Sequence, residues 1–257
     1  MKFLILACAV AATAVQAADF NETARKVMEQ NGKGVVAIRV VSTVKMSRGG
    51  QDREQEQKAE VTGTIVDPSG LTVTCASRVD PSRQSMMGMK VDITVKETTL
   101  LMPDGTEIPA EIVLKDTDLD LAFLRPKELG KTFDAVALTA AAAPAKAMDD
   151  VFSVVRLGKN FNRVVGLESG KVKAEVKGPR PYYVCSADLS GSLGNLVYAA
   201  DGNPLGIMVT KTSVGGADES HASIMTMISG GSGGAIVRPM SDLIDAIKQA
   251  KEAAGKK

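Results

Sequence analysis

The chain has no tryptophan, three cysteines and a single histidine in 257 residues. Each shortage excludes something. One imidazole cannot build a multi-histidine metal centre, and any imidazole acid–base chemistry has to run through His221. Aromatic residues are 4% of the chain, too few for the stacking platforms of a sugar-binding cleft. A charge excess is also missing: 31 Lys and Arg face 30 Asp and Glu, which supplies no field for nucleic acid or an anionic membrane. After the N-terminal segment, no run approaches the roughly 18 apolar residues of a membrane span.

What is present is ordinary globular composition, 44% hydrophobic and 24% charged, on a chain long enough for one core or two small ones. Met1 and Lys2 precede an uncharged apolar run over 3–15, and Val15-Gln16-Ala17 offers small residues to a signal peptidase. Residues 1–17 are therefore expected to be a secretory signal cleaved after Ala17, with a secreted or periplasmic destination. A lipoprotein signal ending at Cys8 is the weaker alternative, because the apolar stretch before it is short. Cys75 and Cys185 then face an oxidising compartment, where they are either a disulfide or two small buried hydrophobes; both readings stay open. No histidine adjoins either cysteine, which argues against a catalytic thiol.

A short amphipathic helix is expected first, with Asn21 as N-cap, Ala24, Val27 and Met28 on one face and Gly32 as a left-handed stop. Short β-branched runs follow at 35–44, 61–66, 71–74, 91–95, 111–114, 151–155, 172–176, 182–184 and 205–209. Turn signals punctuate them: Asp67-Pro68-Ser69-Gly70, Pro103-Asp104-Gly105 and Asp201-Gly202-Asn203. Many short strands and few helices imply an all-β antiparallel sandwich or barrel. Residues 46–60, polar and of mixed charge, read as a solvated loop. The alanine-rich 139–147 reads as a linker, dividing 18–138 from 148–257; a surface helical turn is the alternative. A closing helix is expected from Ser241 as N-cap, with Leu243, Ile244 and Ile247 on one face.

Three stretches carry a resemblance: EVTGTIVDPSGLTVTCASRVD (60–80), DGTEIPAEIVLKDTDLDLAFLRP (104–126) and VCSADLSGSLGNLVYAADGNPLGIM (184–208). They resemble, in order, the signature blocks of trypsin-like serine peptidases of the HtrA/Deg type. DDVFSVVRLGKNFNRVVGLESGKV (149–172) is similar to the opening strands of the second barrel, and GGAIVRPMSDLIDAIKQ (233–249) to its closing strand and helix. The resemblance covers most of 22–250 and implies two antiparallel β-barrels of chymotrypsin-like type with a cleft between them. No region remains for an appended PDZ domain.

The resemblance also implies a catalytic set and reveals a gap in it. Asp120 falls at the triad aspartate, Ser192 at the nucleophile, and Ser77 at the place of the triad histidine, where it is vestigial. A hydroxyl is not basic enough to take a proton from another hydroxyl, and loss of the base costs roughly 10⁶ in turnover in subtilisin. The oxyanion hole would draw on backbone N–H groups at Ser190 and Ser192, but Ser190 and Leu193 replace motif glycines and put its geometry in doubt. His221, in a polar run of the second half, is expected to be a solvated loop residue rather than a substitute base, and no lysine stands at a distinguishing spacing. The cluster Gly231-Ser232-Gly233-Gly234 is closer to the motif in letters, but too little chain follows it to close a barrel, so Ser192 is preferred. Met86, Met87 and Met89 read as loop residues over a barrel, and Asp116, Asp118 and Asp120 as no metal site. The expected protein is therefore a secreted peptidase homologue, inactive or severely impaired, that binds peptides, unfolded segments or a partner in the cleft. It needs no cofactor and could form homo-oligomers. The alternatives are an endopeptidase with a rearranged base and an envelope scaffold.

Overall fold

The computed structural model describes residues 19–48, 51–80, 84–86, 89–138, 142–211 and 234–255. Helix α1 occupies 19–31, so Asn21 lies inside its first turn rather than capping it. Its apolar face is the expected one: Ala24 and Val27 are buried, Met28 packs beside them, and Phe20 sets its ring edge-on to Phe152, centroids 5.6 Å apart. Gly32 is not left-handed. Its smallness is needed for space, because a Cβ there would lie 3.0 Å from Val165 Cγ2.

Seven strands form the first sheet: β1 (Val35–Arg48), β2 (Gln51–Ile65), β3 (Thr72–Cys75), β4 (Gln84–Met86), β5 (Met89–Leu101), β6 (Glu107–Asp116) and β7 (Leu121–Pro126). Their order is β1-β2-β3-β7-β6-β5, closed by β1 against β5, with β4 added at the far side of β5. The predicted turns hold, and Gly70, Gly105 and Gly202 in them take φ of 87°, 86° and 83°, which a side chain penalises. Within the expected loop at 46–60, the described residues 46–48 and 51–60 are instead strand. β1 and β2 pair in register from Val35↔Thr64 to Arg48↔Gln51, and β5 covers the other edge of β1. Residues 53–60 are exposed, so the polarity that suggested a loop belongs to an arm wetted on both faces and held by its backbone ladder. Lys45 and Glu54 face each other across it, Nζ to Oε2 3.3 Å.

The second sheet is a closed barrel of β8 (Asp150–Arg156), β9 (Val165–Val176), β10 (Tyr182–Cys185), β11 (Leu196–Ala199), β12 (Pro204–Thr210) and β13 (Ala235–Pro239), in the order β10-β13-β12-β11-β8-β9. Val36, Ile38, Ile65, Leu100 and Leu124 fill the first barrel; Val151, Val172, Leu189, Val197 and Val237 fill the second. A third cluster joins the barrels: Val73, Cys75, Leu121 and Phe123 from one, Phe152, Tyr198, Ile207 and Val209 from the other. That layer explains why β12 is a continuous apolar run from Leu205 to Val209: both of its faces are covered.

Helix α3 (Met240–Gly255) begins one residue before the expected cap. Met240, Leu243, Ala246, Ile247 and Ala250 make a buried stripe at helical spacing. It follows the last strand of the second barrel yet returns to the first: Lys251 meets Asp67 at 2.5 Å, and the Arg125 guanidinium donates to the Ala254 carbonyl near the helix end. No described helix is long and apolar enough to cross a membrane.

Candidate functional site

Strand β3 delivers Cys75 to a single helical turn, α2 (Ala76–Val79), which lifts Ser77 toward the turn between β6 and β7. That turn is shaped by its own aspartates. Asp116 Oδ1 accepts the N–H groups of Asp118 and Leu119 at 3.0 and 2.9 Å, and Asp120 takes the left-handed conformation, φ 58°, which Asp tolerates better than most residues. The Asp120 carbonyl accepts the Ala76 N–H at 3.0 Å, joining the two turns. The three aspartates thus diverge: Asp118 reaches Arg180 at 3.4 Å, and Asp120 points inward.

The Asp120 carboxylate is 2% exposed and receives three donors. Ser77 N–H reaches Oδ1 at 2.7 Å, while Ser77 Oγ and Thr210 N–H reach Oδ2 at 3.0 and 2.9 Å. Burial pushes its pKa above the ordinary carboxylate value, and the hydrogen bonds from Ser77 and Thr210 oppose that rise without cancelling it. Thr210 lies at the end of β12, so Asp120 ties the barrels together. Two of the three expected triad positions are therefore in contact, and their arrangement anchors a hydroxyl. Among the described residues it contains no imidazole.

Ser192 lies elsewhere. It ends a 3-10 turn, Ala187–Ser192, whose Leu189 is sunk in the second barrel. Ser192 is wholly buried, and its hydroxyl donates to Glu168 Oε2 on β9 at 2.7 Å. Among the described residues no hydrogen bond joins it to Ser77 or Asp120. The N–H groups of Ser190 and Ser192 belong to a 3-10 turn, in which such groups point along the axis toward carbonyls three residues back rather than at an external oxyanion.

Leu193 follows, half-buried, and packs against both the second core and the layer between the barrels. Its carbonyl accepts the Thr62 hydroxyl at 2.9 Å. Gly194 then needs φ 86°, and a Cβ on it would fall 2.6 Å from the Thr62 carbonyl oxygen. Asn195, fully buried, sends Nδ2 to Thr62 Oγ1 at 3.3 Å. So the segment expected to carry the nucleophile is fastened to β2 of the first barrel, with an aliphatic side chain at the junction.

Sequence reading missed Thr210, Glu168, Thr62 and Asn195. Thr210 had a signal, a polar residue closing a buried apolar run; the others had none, since their partners lie 24 to 133 residues away. His221, Ser232 and Met87 lie outside the described residues, as do 139–141 of the linker. Cys75 and Cys185 are both free and buried, which resolves the open pair. Among the described residues no group of three His, Cys, Asp or Glu is placed to hold a metal ion.

Residues 61–207 match the family model of the trypsin-like peptidase domain. No curated protein matches the chain.

Proposed function

Since the chain belongs to the trypsin-like peptidase family and puts Ser77 where the resemblance puts the proton-accepting imidazole, we propose that it is a secreted homologue that does not hydrolyse peptides. It uses the cleft between its barrels to bind peptide segments or a protein partner. The observation that carries this reading is the engagement of Asp120. In the triad mechanism this carboxylate orients an imidazole. Here its hydrogen bonds come from Ser77 and Thr210, and a hydroxyl has no proton affinity to offer at neutral pH. The burial of Ser192 against Glu168 points the same way independently, because a nucleophile has to reach substrate. Secretion rests on the signal-like 1–17, and kinship with the HtrA type on the quoted blocks.

The test is direct. Residues 18–257 are treated with a fluorophosphonate probe and incubated with unfolded casein. Neither labelling at Ser192 nor turnover is expected, and strong labelling with cleavage would overturn the reading. Ser77→His alone is expected to stay inactive in the same assay, because the Ser192 hydroxyl remains bonded to Glu168. Binding of casein-derived peptides that is lost on substitution at Ser190 or Leu193 separates a peptide-binding cleft from a pure scaffold.

A further inference from the structure

The turn that carries Ser192 is docked on one face of β9 at alternate residues, as strand geometry requires. Gly170 makes room for one end: a Cβ there would lie 2.1 Å from Ser186 Oγ and 3.4 Å from Leu189 Cγ. Ser186 Oγ also accepts the Lys171 N–H at 3.1 Å. Two residues earlier, Glu168 holds the other end. Its Oε2 accepts the Ser192 hydroxyl at 2.7 Å, and its Oε1 lies so close to Gly191 that a Cβ there would stand 2.1 Å away. Glu168 is half-buried and forms no ion pair among the described residues, so its hydrogen bond is directed wholly at this turn.

We propose that Glu168 is the positioning residue of the cleft. By accepting the Ser192 hydroxyl it keeps 187–192 as a closed helical turn, and this sets where the exposed Ser190 and Gly191 and the half-buried Leu193 meet a ligand. The part concerning ligand rests on the proposed peptide-binding role; the part concerning the turn does not. The hydrogen bond, not the negative charge, is the agent, and that makes the two substitutions at this position different.

Glu168→Ala and Glu168→Gln are compared with the wild-type chain 18–257 by amide hydrogen exchange over 187–193 and by fluorescence polarisation with labelled casein-derived peptides. Alanine is expected to raise exchange in that segment about tenfold, with β12 unchanged, and to weaken peptide binding about tenfold. Glutamine keeps a carbonyl that accepts the Ser192 hydroxyl and should stay within about threefold of wild type on both readouts. Ser192→Ala removes the donor from the other side and should reproduce the exchange of Glu168→Ala, which guards against a folding defect in the latter. Wild-type exchange in both alanine variants, or a glutamine variant that behaves like alanine, overturns the proposal. Faster exchange with no peptide bound even by wild type upholds the latch and removes the peptide-binding reading instead.

Discussion

At the scale of the residue, Asp120 concentrates the tension of this molecule. Its carboxylate is buried, so desolvation favours the protonated form, yet three donors converge on it and favour the charged one. Desolvation prevails, and the folded-state pKa lies above the ordinary aspartate value of 3.8. The folded chain then holds this proton more tightly than the unfolded chain. The contribution of Asp120 therefore favours folding at low pH and is lost as pH rises through the window from about 3.8 to the raised value. Asp120→Asn removes the titration and also sets amide hydrogens against donors, a loss of about 1–3 kcal/mol. Urea unfolding between pH 3 and 6 should show the wild-type advantage over Asp120→Asn shrinking as pH rises; a flat or growing advantage would contradict the assignment.

At the scale of the element, the junctions are polar and highly directional. Arg156, last in β8, is 8% exposed and has no carboxylate partner among the described residues. It spends its guanidinium on carbonyls instead: Val35 at the start of β1, Gly32 at 2.6 Å and Arg163 at 2.8 Å. Burial pushes its pKa down, but an arginine stays charged. One side chain thereby fixes the entry of the first barrel onto the second. Arg156→Ala would leave buried carbonyls without donors and is expected to cost about 3 kcal/mol in chemical denaturation, with Arg156→Lys in between because it lacks the fork. A loss below about 0.5 kcal/mol for the alanine variant, the level of an ordinary surface change, would show the staple to be dispensable.

At the scale of the whole molecule, three apolar layers replace any covalent brace. Cys75 sits in the layer between the barrels and Cys185 in the core of the second, and among the described residues no disulfide spans them. Burial raises both thiols, Cys185 to about 11 and Cys75 further, with the nearby Asp120 charge adding to the latter. Thiolate is the reactive form, so the native chain 18–257 should resist an aromatic disulfide reagent at pH 8. Both thiols should react once it is unfolded in guanidinium. One or no thiol after unfolding without reductant would mean that the pair is oxidised.

The strand runs, the turn glycines and the buried faces of α1 and α3 were legible in the sequence. Each depends on local periodicity or on a short motif, and such signals act over a few residues. That the block around Ser77 carries no histidine was legible too, since the single histidine of the chain is His221. The polar strand segments 46–48 and 51–60 were not, since β2 is held there by ladder bonds to β1, and β1 by ladder bonds to β5, rather than by an apolar face. Nor was the direction in which Ser192 points. The motif places that serine beside the cleft in letters, but a hydroxyl turns toward whichever acceptor the fold brings near, and Glu168 arrives through the pairing of β9 with β8. Local chemistry writes itself into sequence; a partner many residues distant is chosen only when the barrels close.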